Sequence, residues 1–224
     1  MKRALLLATL LAPLPTLAAG FEGGYVGLYS GYAWAEDEGT SYSQFNNQKT
    51  GWTQETNPMG AQIGVLGGYN WPLQHNWLVG VEADYEGRID GADSDYQEFN
   101  GVTDTNYRNT SEIKSSGSLR GRLGYLPTPD LLLFATAGYA YASVEREWED
   151  NQFLGRSESQ TNGQAGWTVG AGAEYLLNDA FSARLEYRYA DFGTQEGIDV
   201  DMWSEEYKQR LTEQSLRLGA AYHF

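Results

Sequence analysis

From Gly23 to the last residue the chain repeats one theme: ten to fourteen residues of alternating apolar and polar or small side chains, then a polar connection. A period of two puts successive side chains on opposite faces of a strand. The segments fall at 23–34, 59–71, 77–88, 113–126, 131–144, 165–176, 181–192 and 211–224. Their lengths suit strands that cross a bilayer at a tilt, which takes about 9–11 residues. The connections alternate too. Short turns lie around Pro72 to Asn76, Pro127 to Asp130 and Leu177 to Ala180, whereas 35–59, 88–112, 145–164 and 191–213 are long and rich in Asp, Glu, Ser, Thr, Asn and Gln. Eight strands with short turns at one end and long loops at the other predict an all-β, antiparallel up-and-down transmembrane β-barrel with four long extracellular loops.

The two faces of each segment differ in kind. The third sets Trp77, Val79, Val81, Ala83 and Tyr85 against Glu82, Asp84 and Glu86; the fourth sets Leu119, Leu123 and Tyr125 against Lys114, Arg120 and Arg122. The sixth opposes Trp167, Val169, Ala171 and Ala173 to Gly170, Gly172 and Glu174. The seventh opposes Leu185 and Tyr187 to Arg184, Glu186 and Arg188, and the eighth opposes Leu216 and Leu218 to Arg217 and Gly219. The first two follow more weakly. The fifth, 131–144, is apolar on both faces, so its register stays open.

Alternation alone would also suit a soluble barrel with its apolar face inward. Two features favour the membrane. On the apolar face, aromatics gather at the strand ends: Tyr69, Trp71, Trp77, Tyr125, Tyr175, Phe181, Tyr222 and Phe224 beside the short turns, and Tyr32, Trp34, Tyr85, Trp167, Tyr187 and Tyr189 toward the long ones. Two such belts match the two bilayer interfaces. Cost decides the rest. An Arg facing lipid near the midplane costs roughly 2–4 kcal/mol, so turning five of them outward would cost on the order of 10 kcal/mol, comparable to a whole domain's stability. Glu82, Asp84, Glu86, Glu174 and Glu186 are therefore expected to pair inside a narrow lumen with Arg120, Arg122, Arg184, Arg188 and Arg217, because a lone buried charge is expensive.

Composition sharpens the picture. The 224 residues include 27 Gly, 7 Trp, 16 Tyr and no Cys, with a formal charge of −15. No disulfide, thiol nucleophile or thiolate metal site is available, and the acidic balance argues against nucleic acid as a partner. The four long connections carry 22 acids and 7 bases, a net −15, so the expected barrel is nearly neutral beneath an anionic fringe. That fringe could hold divalent cations bridging to lipopolysaccharide, contact other partners, or serve only to solvate the loops. No segment has the spacing of a calcium-binding loop. Lys2 and Arg3, an apolar run to Leu17 and the small residues Ala18, Ala19 and Gly20 read as a cleaved export signal over 1–19, leaving 20–224 as the barrel domain. His75 and His223 are the only histidines. Neither shows a catalytic or metal-ligating pattern, and no cofactor site is expected.

Several stretches together carry a family resemblance: Gly24-Tyr25-Val26-Gly27, Trp77 to Tyr85, Leu119 to Tyr125, Gly170 to Tyr175 and Arg217 to Phe224. The chain resembles the porin-family outer-membrane β-barrel proteins of Gram-negative bacteria, the small eight-stranded group with OmpA-like and opacity-type barrels. The resemblance implies the outer membrane, reached through the periplasm, with its lipid and lipopolysaccharide as surroundings. It also implies a terminal Phe224 that the barrel assembly machinery recognises. The expected role is non-catalytic, structural or surface-exposed, for a monomer or weak oligomer; a narrow porin and an adhesin acting through the acidic loops are the alternatives.

Overall fold

The computed structural model describes residues 20–152, 155–201 and 203–224; the expected export signal over 1–19 lies outside them. Ten strands follow in order: β1 (Gly23–Ser43), β2 (Lys49–Thr56), β3 (Met59–Pro72), β4 (Trp77–Ile89), β5 (Asp93–Phe99), β6 (Val102–Thr128), β7 (Leu131–Asp150), β8 (Arg156–Leu176), β9 (Phe181–Val200) and β10 (Glu205–His223). They make eight staves, two of them broken. β2 and β3 both pair with β1, one above the other, and are parted at Asn57-Pro58, where proline has no N–H to give the ladder. β5 and β4 likewise share β6, with Asp90 at φ 52° in the break. Every pairing is antiparallel, and β1 pairs with β10 over 19 residue pairs, so the first and last staves meet.

Following paired residues once around the ring leads from Tyr25 through Gly68, Glu82, Arg120, Gly138, Thr168, Ala190 and Glu213 back to β1 at Ala35. The stagger is ten residues. With ordinary strand spacing and rise, eight staves and that stagger give a tilt of about 40° and a Cα radius of about 8 Å. Side chains from opposite walls meet across such a width.

Outside, Val26, Leu28, Ile63, Val65, Val81, Leu119, Leu123, Leu185 and Leu218 are exposed between the two expected aromatic belts. The open register of 131–144 resolves: Leu132, Phe134 and Thr136 face in, while Leu133, Tyr139 and Tyr141 face out, the two tyrosines joining the outer belt.

The strands outrun the expected segments at the long-connection end. At this tilt the 20-residue β7 rises about 50 Å, twice the ~25 Å apolar band. Much of each long connection is thus wall, not loop. The connections left between these strands are short, at 44–48, 100–101, 151–155 and 201–204. Above the membrane the outward face is polar and the inward face mixes polar with apolar residues, so the strand persists while its hydrophobic alternation fades. One local signal survives there: Asn100-Gly101, with φ of 50° and 79°, is the left-handed pair that a tight hairpin turn needs.

Leu218 sits between the belts, opposite Ser30 and Leu185, and is 63% exposed. Leu218→Arg is expected to cost about 2–4 kcal/mol, read as a lower urea midpoint for the barrel refolded in lipid vesicles.

Candidate functional site

The interior is stacked in layers. At the periplasmic end Phe21, Leu78, Leu132 and Phe134 form an apolar plug. The Asn70 side-chain amide donates to the Phe21 carbonyl at 2.8 Å, tying the N-terminal segment across the opening. Above it lies the ionic layer. Then Ala35, Ile113, Ala142, Val144, Phe192 and Leu211 form an apolar band. Over that band Arg146 holds Asp37 through two bonds, at 2.7 and 2.9 Å, with Ser111 donating to the same carboxylate at 2.7 Å. Trp148, Ile198, Val200 and Tyr207 close the outer end.

All ten charges assigned to the lumen from sequence are buried, none more than 7% exposed. Three carboxylates climb β4 at every second residue, and the arginines reach them from other staves. Glu82 receives Arg120 at 2.6 Å and Arg184 at 2.6 Å. Asp84 is held by Arg120 at 2.9 Å and Arg188 at 3.2 Å. Glu86 takes Arg188 at 2.8 Å and Arg217 at 2.7 Å. Glu186 accepts from Arg120 and lies 3.2 Å from Arg184, and Glu174 accepts from Arg122. Such sharing satisfies several lone pairs of each carboxylate, the condition under which buried ions are tolerable.

Sequence reasoning missed much of the supporting shell. Tyr25 donates to Glu82 at 2.8 Å and Tyr29 to Glu86 at 2.9 Å. Ser116 donates to Glu86 at 2.5 Å, Ser118 donates to Asp84, and Arg120 donates to Thr136 at 2.9 Å. The Arg122 and Arg184 guanidiniums lie over the Phe134 ring, at 4.3 and 4.9 Å from its centre, a favourable cation–π placement. The weak alternation of β1 hid both tyrosines, and serines carry no charge to advertise them.

Several charges expected in solvated loops also turn inward. Arg88 pairs with Glu213, and Arg146 with Asp37, each nearly inaccessible. The ten assigned charges and these four give seven carboxylates and seven guanidiniums, a balanced set, and Asp150, buried on the same face of β7 as Arg146, adds a further acid near the outer mouth. The exchange moves two of each sign, so the outer fringe keeps its acidic excess. Lys114 moves the other way. The register skips it between Ile113 and Ser115, and this bulge turns it outward to Glu112 and Glu145, both at 2.7 Å.

Of the two histidines, His75 is exposed in the β3–β4 turn. His223 is fully buried, with Nε2 at 3.0 Å from Ser182 Oγ and 3.1 Å from Glu174 Oε1. Phe224 closes the seam: its N–H donates to the Gly24 carbonyl at 2.8 Å and its carbonyl accepts from the Gly24 N–H at 3.1 Å. Its ring lies where a side chain on Gly24 would have to go.

At the outer mouth burial pushes the Glu205 carboxyl upward, against hydrogen bonds from Ser41 and Tyr207. The same cause drives the Tyr207 hydroxyl far above the ordinary phenol range.

Residues 4–224 match the family described as the outer membrane protein β-barrel domain. The chain belongs to that family. A 31 kDa outer-membrane immunogenic protein of Brucella melitensis is 30% identical, with 95% of this chain and 87% of the relative covered. A 22 kDa outer membrane protein of Rhizobium leguminosarum is 34% identical over 71% of this chain and 64% of its own length. Among solved structures, the outer membrane protein OprG from Pseudomonas aeruginosa superposes with a TM-score of 0.57 at 13% identity, covering 92% of this chain and 99% of that one. This outer-membrane β-barrel protein therefore resides in the outer membrane, with its apolar wall toward lipid and its ion pairs along the axis.

Arg120 neutralises three carboxylates at once. Arg120→Leu leaves them short of a partner, and breaking a buried pair from one side costs about 3–5 kcal/mol. The barrel should then lose its heat-modifiable gel mobility at a lower temperature than the parent.

Proposed function

We propose that this outer-membrane barrel is non-catalytic and closed along its axis, and acts through the walls and turns it presents outside the membrane. The carrying observation is the stacked interior, where an apolar plug, ion pairs, an apolar band, the Asp37–Arg146 pair and an aromatic cap follow one another. An eight-stranded cylinder is only about wide enough for its own side chains.

A non-catalytic reading is supported by the Ser-His-Glu grouping found among the described residues. Ser182, His223 and Glu174 sit together, but Ser182 and Glu174 contact the same imidazole nitrogen, and Nδ1 has no hydrogen-bond partner. A hydroxyl-activating imidazole needs the carboxylate on its other nitrogen. All three residues are also fully buried, out of a substrate's reach.

The partners follow from the same geometry. Lipid and lipopolysaccharide surround the aromatic belts. Acids such as Glu36, Glu38, Glu55 and Glu98 stand on the outward face above the belt, at the height of lipopolysaccharide headgroups, where divalent cations would bridge the two anionic surfaces. Phe224 is the recognition element for the barrel assembly machinery before the seam closes. The first and last strands pair with each other, so neither is left as a free edge within the membrane, which suits a monomer.

Planar-bilayer recording of the refolded protein tests the closed axis: no unitary currents are expected, and reproducible single-channel steps would identify a narrow porin instead. Phe224→Ala is expected to reduce the amount of folded barrel in the outer membrane severalfold while leaving refolding of the purified chain in detergent intact.

A further inference from the structure

Outside the membrane, three aromatic rings from separate elements meet around a cavity of about 220 Å³ lined by Trp52 of β2, Gln97 of β5, Tyr107 of β6, Trp203 of the β9–β10 turn and Glu205 of β10. Tyr107 stands edge-on to both tryptophans. Its ring centre is 5.0 Å from that of Trp52 at 73° and 5.5 Å from that of Trp203 at 88°. Rings set at right angles turn π-faces in different directions, making a box instead of a flat platform. Behind this lining Tyr207 packs 6.4 Å from Trp203 and 5.9 Å from Trp148.

Most polar groups of this box are already engaged: the Tyr107 hydroxyl reaches Gln152 Oε1 at 3.3 Å, and the Trp203 indole N–H alone among the lining side chains is buried without a partner. The Tyr207 hydroxyl reaches Gln97 Oε1 at 3.0 Å and Glu205 Oε2 at 3.3 Å, and Ser41 donates to the same Glu205 oxygen at 2.8 Å. Gln97 spends its amide on Gln54 at 3.5 Å. A sugar needs several free, directed hydrogen-bond partners to repay the water it sheds. A quaternary ammonium has no N–H and needs none. It needs aromatic faces and a negative potential, and both are here. The lining holds a carboxylate and no cation. The Tyr107 hydroxyl is pushed above its ordinary range by burial and then by Asp150, Asp104 and Glu205, which marks the mouth as anionic.

We propose that the outer mouth of the barrel is a binding site for a small organic cation of the quaternary-ammonium class. The methyl groups lie against Trp52, Tyr107 and Trp203, and the charge is answered by Glu205. The cavity is smaller than the usual pocket for a drug-sized ligand, which suits a single headgroup. This extends the reading of an outward-acting barrel, and its test does not depend on whether the axis conducts.

Calorimetric titration of the full refolded chain with choline tests the site, alongside 3,3-dimethyl-1-butanol, the uncharged carbon isostere, and methyl glucoside. Choline should bind saturably and the two neutral compounds should not. Trp203→Ala and Glu205→Gln should each weaken choline by about tenfold while keeping the heat-modifiable mobility of a folded barrel. Trp167→Ala, on the lipid-facing wall, should leave binding unchanged. Failure of choline to saturate, equal binding of the neutral isostere, preference for the glucoside, or unchanged affinity in both mouth variants would each overturn the proposal.

Discussion

A buried charge must be answered by another, and in this barrel the answers come from far along the chain. The carboxylates Glu82, Asp84 and Glu86 sit on β4, whereas the guanidiniums that neutralise them come from β6, β9 and β10, at separations of 36 to 133 residues. No hairpin of neighbouring staves can satisfy them alone. The ten-residue stagger brings these distant groups to one height, and the cylinder's narrow width brings them into contact. Closure, lumen packing and ionic neutrality are therefore one event: a sheet lacking its last two strands would leave β4 with carboxylates facing few partners. The high contact order this implies is the expected cost of such a topology.

The same constraint explains what could be read from the sequence. Within the bilayer one face must be apolar and the other must hold every charge, so the eight staves are legible as segments, and the ten lumen charges are legible by parity on the strands where alternation is strong. Outside the bilayer that demand lapses. Asp37, Arg88, Arg146 and Glu213 lie in stretches that read as solvated loops, because water permits either face to be polar. The bulge that turns Lys114 outward is invisible for a related reason: one skipped residue reverses the parity of everything beyond it. Leu131 to Val144 failed in the opposite way. There the inward face is apolar too, since Leu132 and Phe134 serve the plug and stack against arginines, so hydrophobicity alone could not assign the sides. Tyr25 and Tyr29 could have been suspected as hydroxyl donors from their parity with Gly27 and Gly31, but nothing in their spacing points to Glu82 or Glu86.

A filled axis places function elsewhere. With plug, ion pairs, apolar band and aromatic cap in succession, the parts of this family member that meet the outside world are the upper walls, their acidic outward faces and the aromatic mouth. Trp52, Tyr107 and Trp203 reach that mouth from β2, β6 and the β9–β10 turn, so its shape rests on the same ladder that holds the lower barrel. Loops positioned by a rigid scaffold are the common arrangement for recognition. Here much of the loop is itself scaffold.

The extended walls have a mechanical corollary. Because hydrogen-bonded strands, not slack polypeptide, carry the chain past the outer belt, the tip at Asn100-Gly101 rides on a stiff wall. Its distance above the bilayer is set by residue count and tilt instead of thermal wandering. The molecule thus works as a mast of fixed length, and each residue pair added to or taken from a wall would raise or lower its tip by a few ångströms.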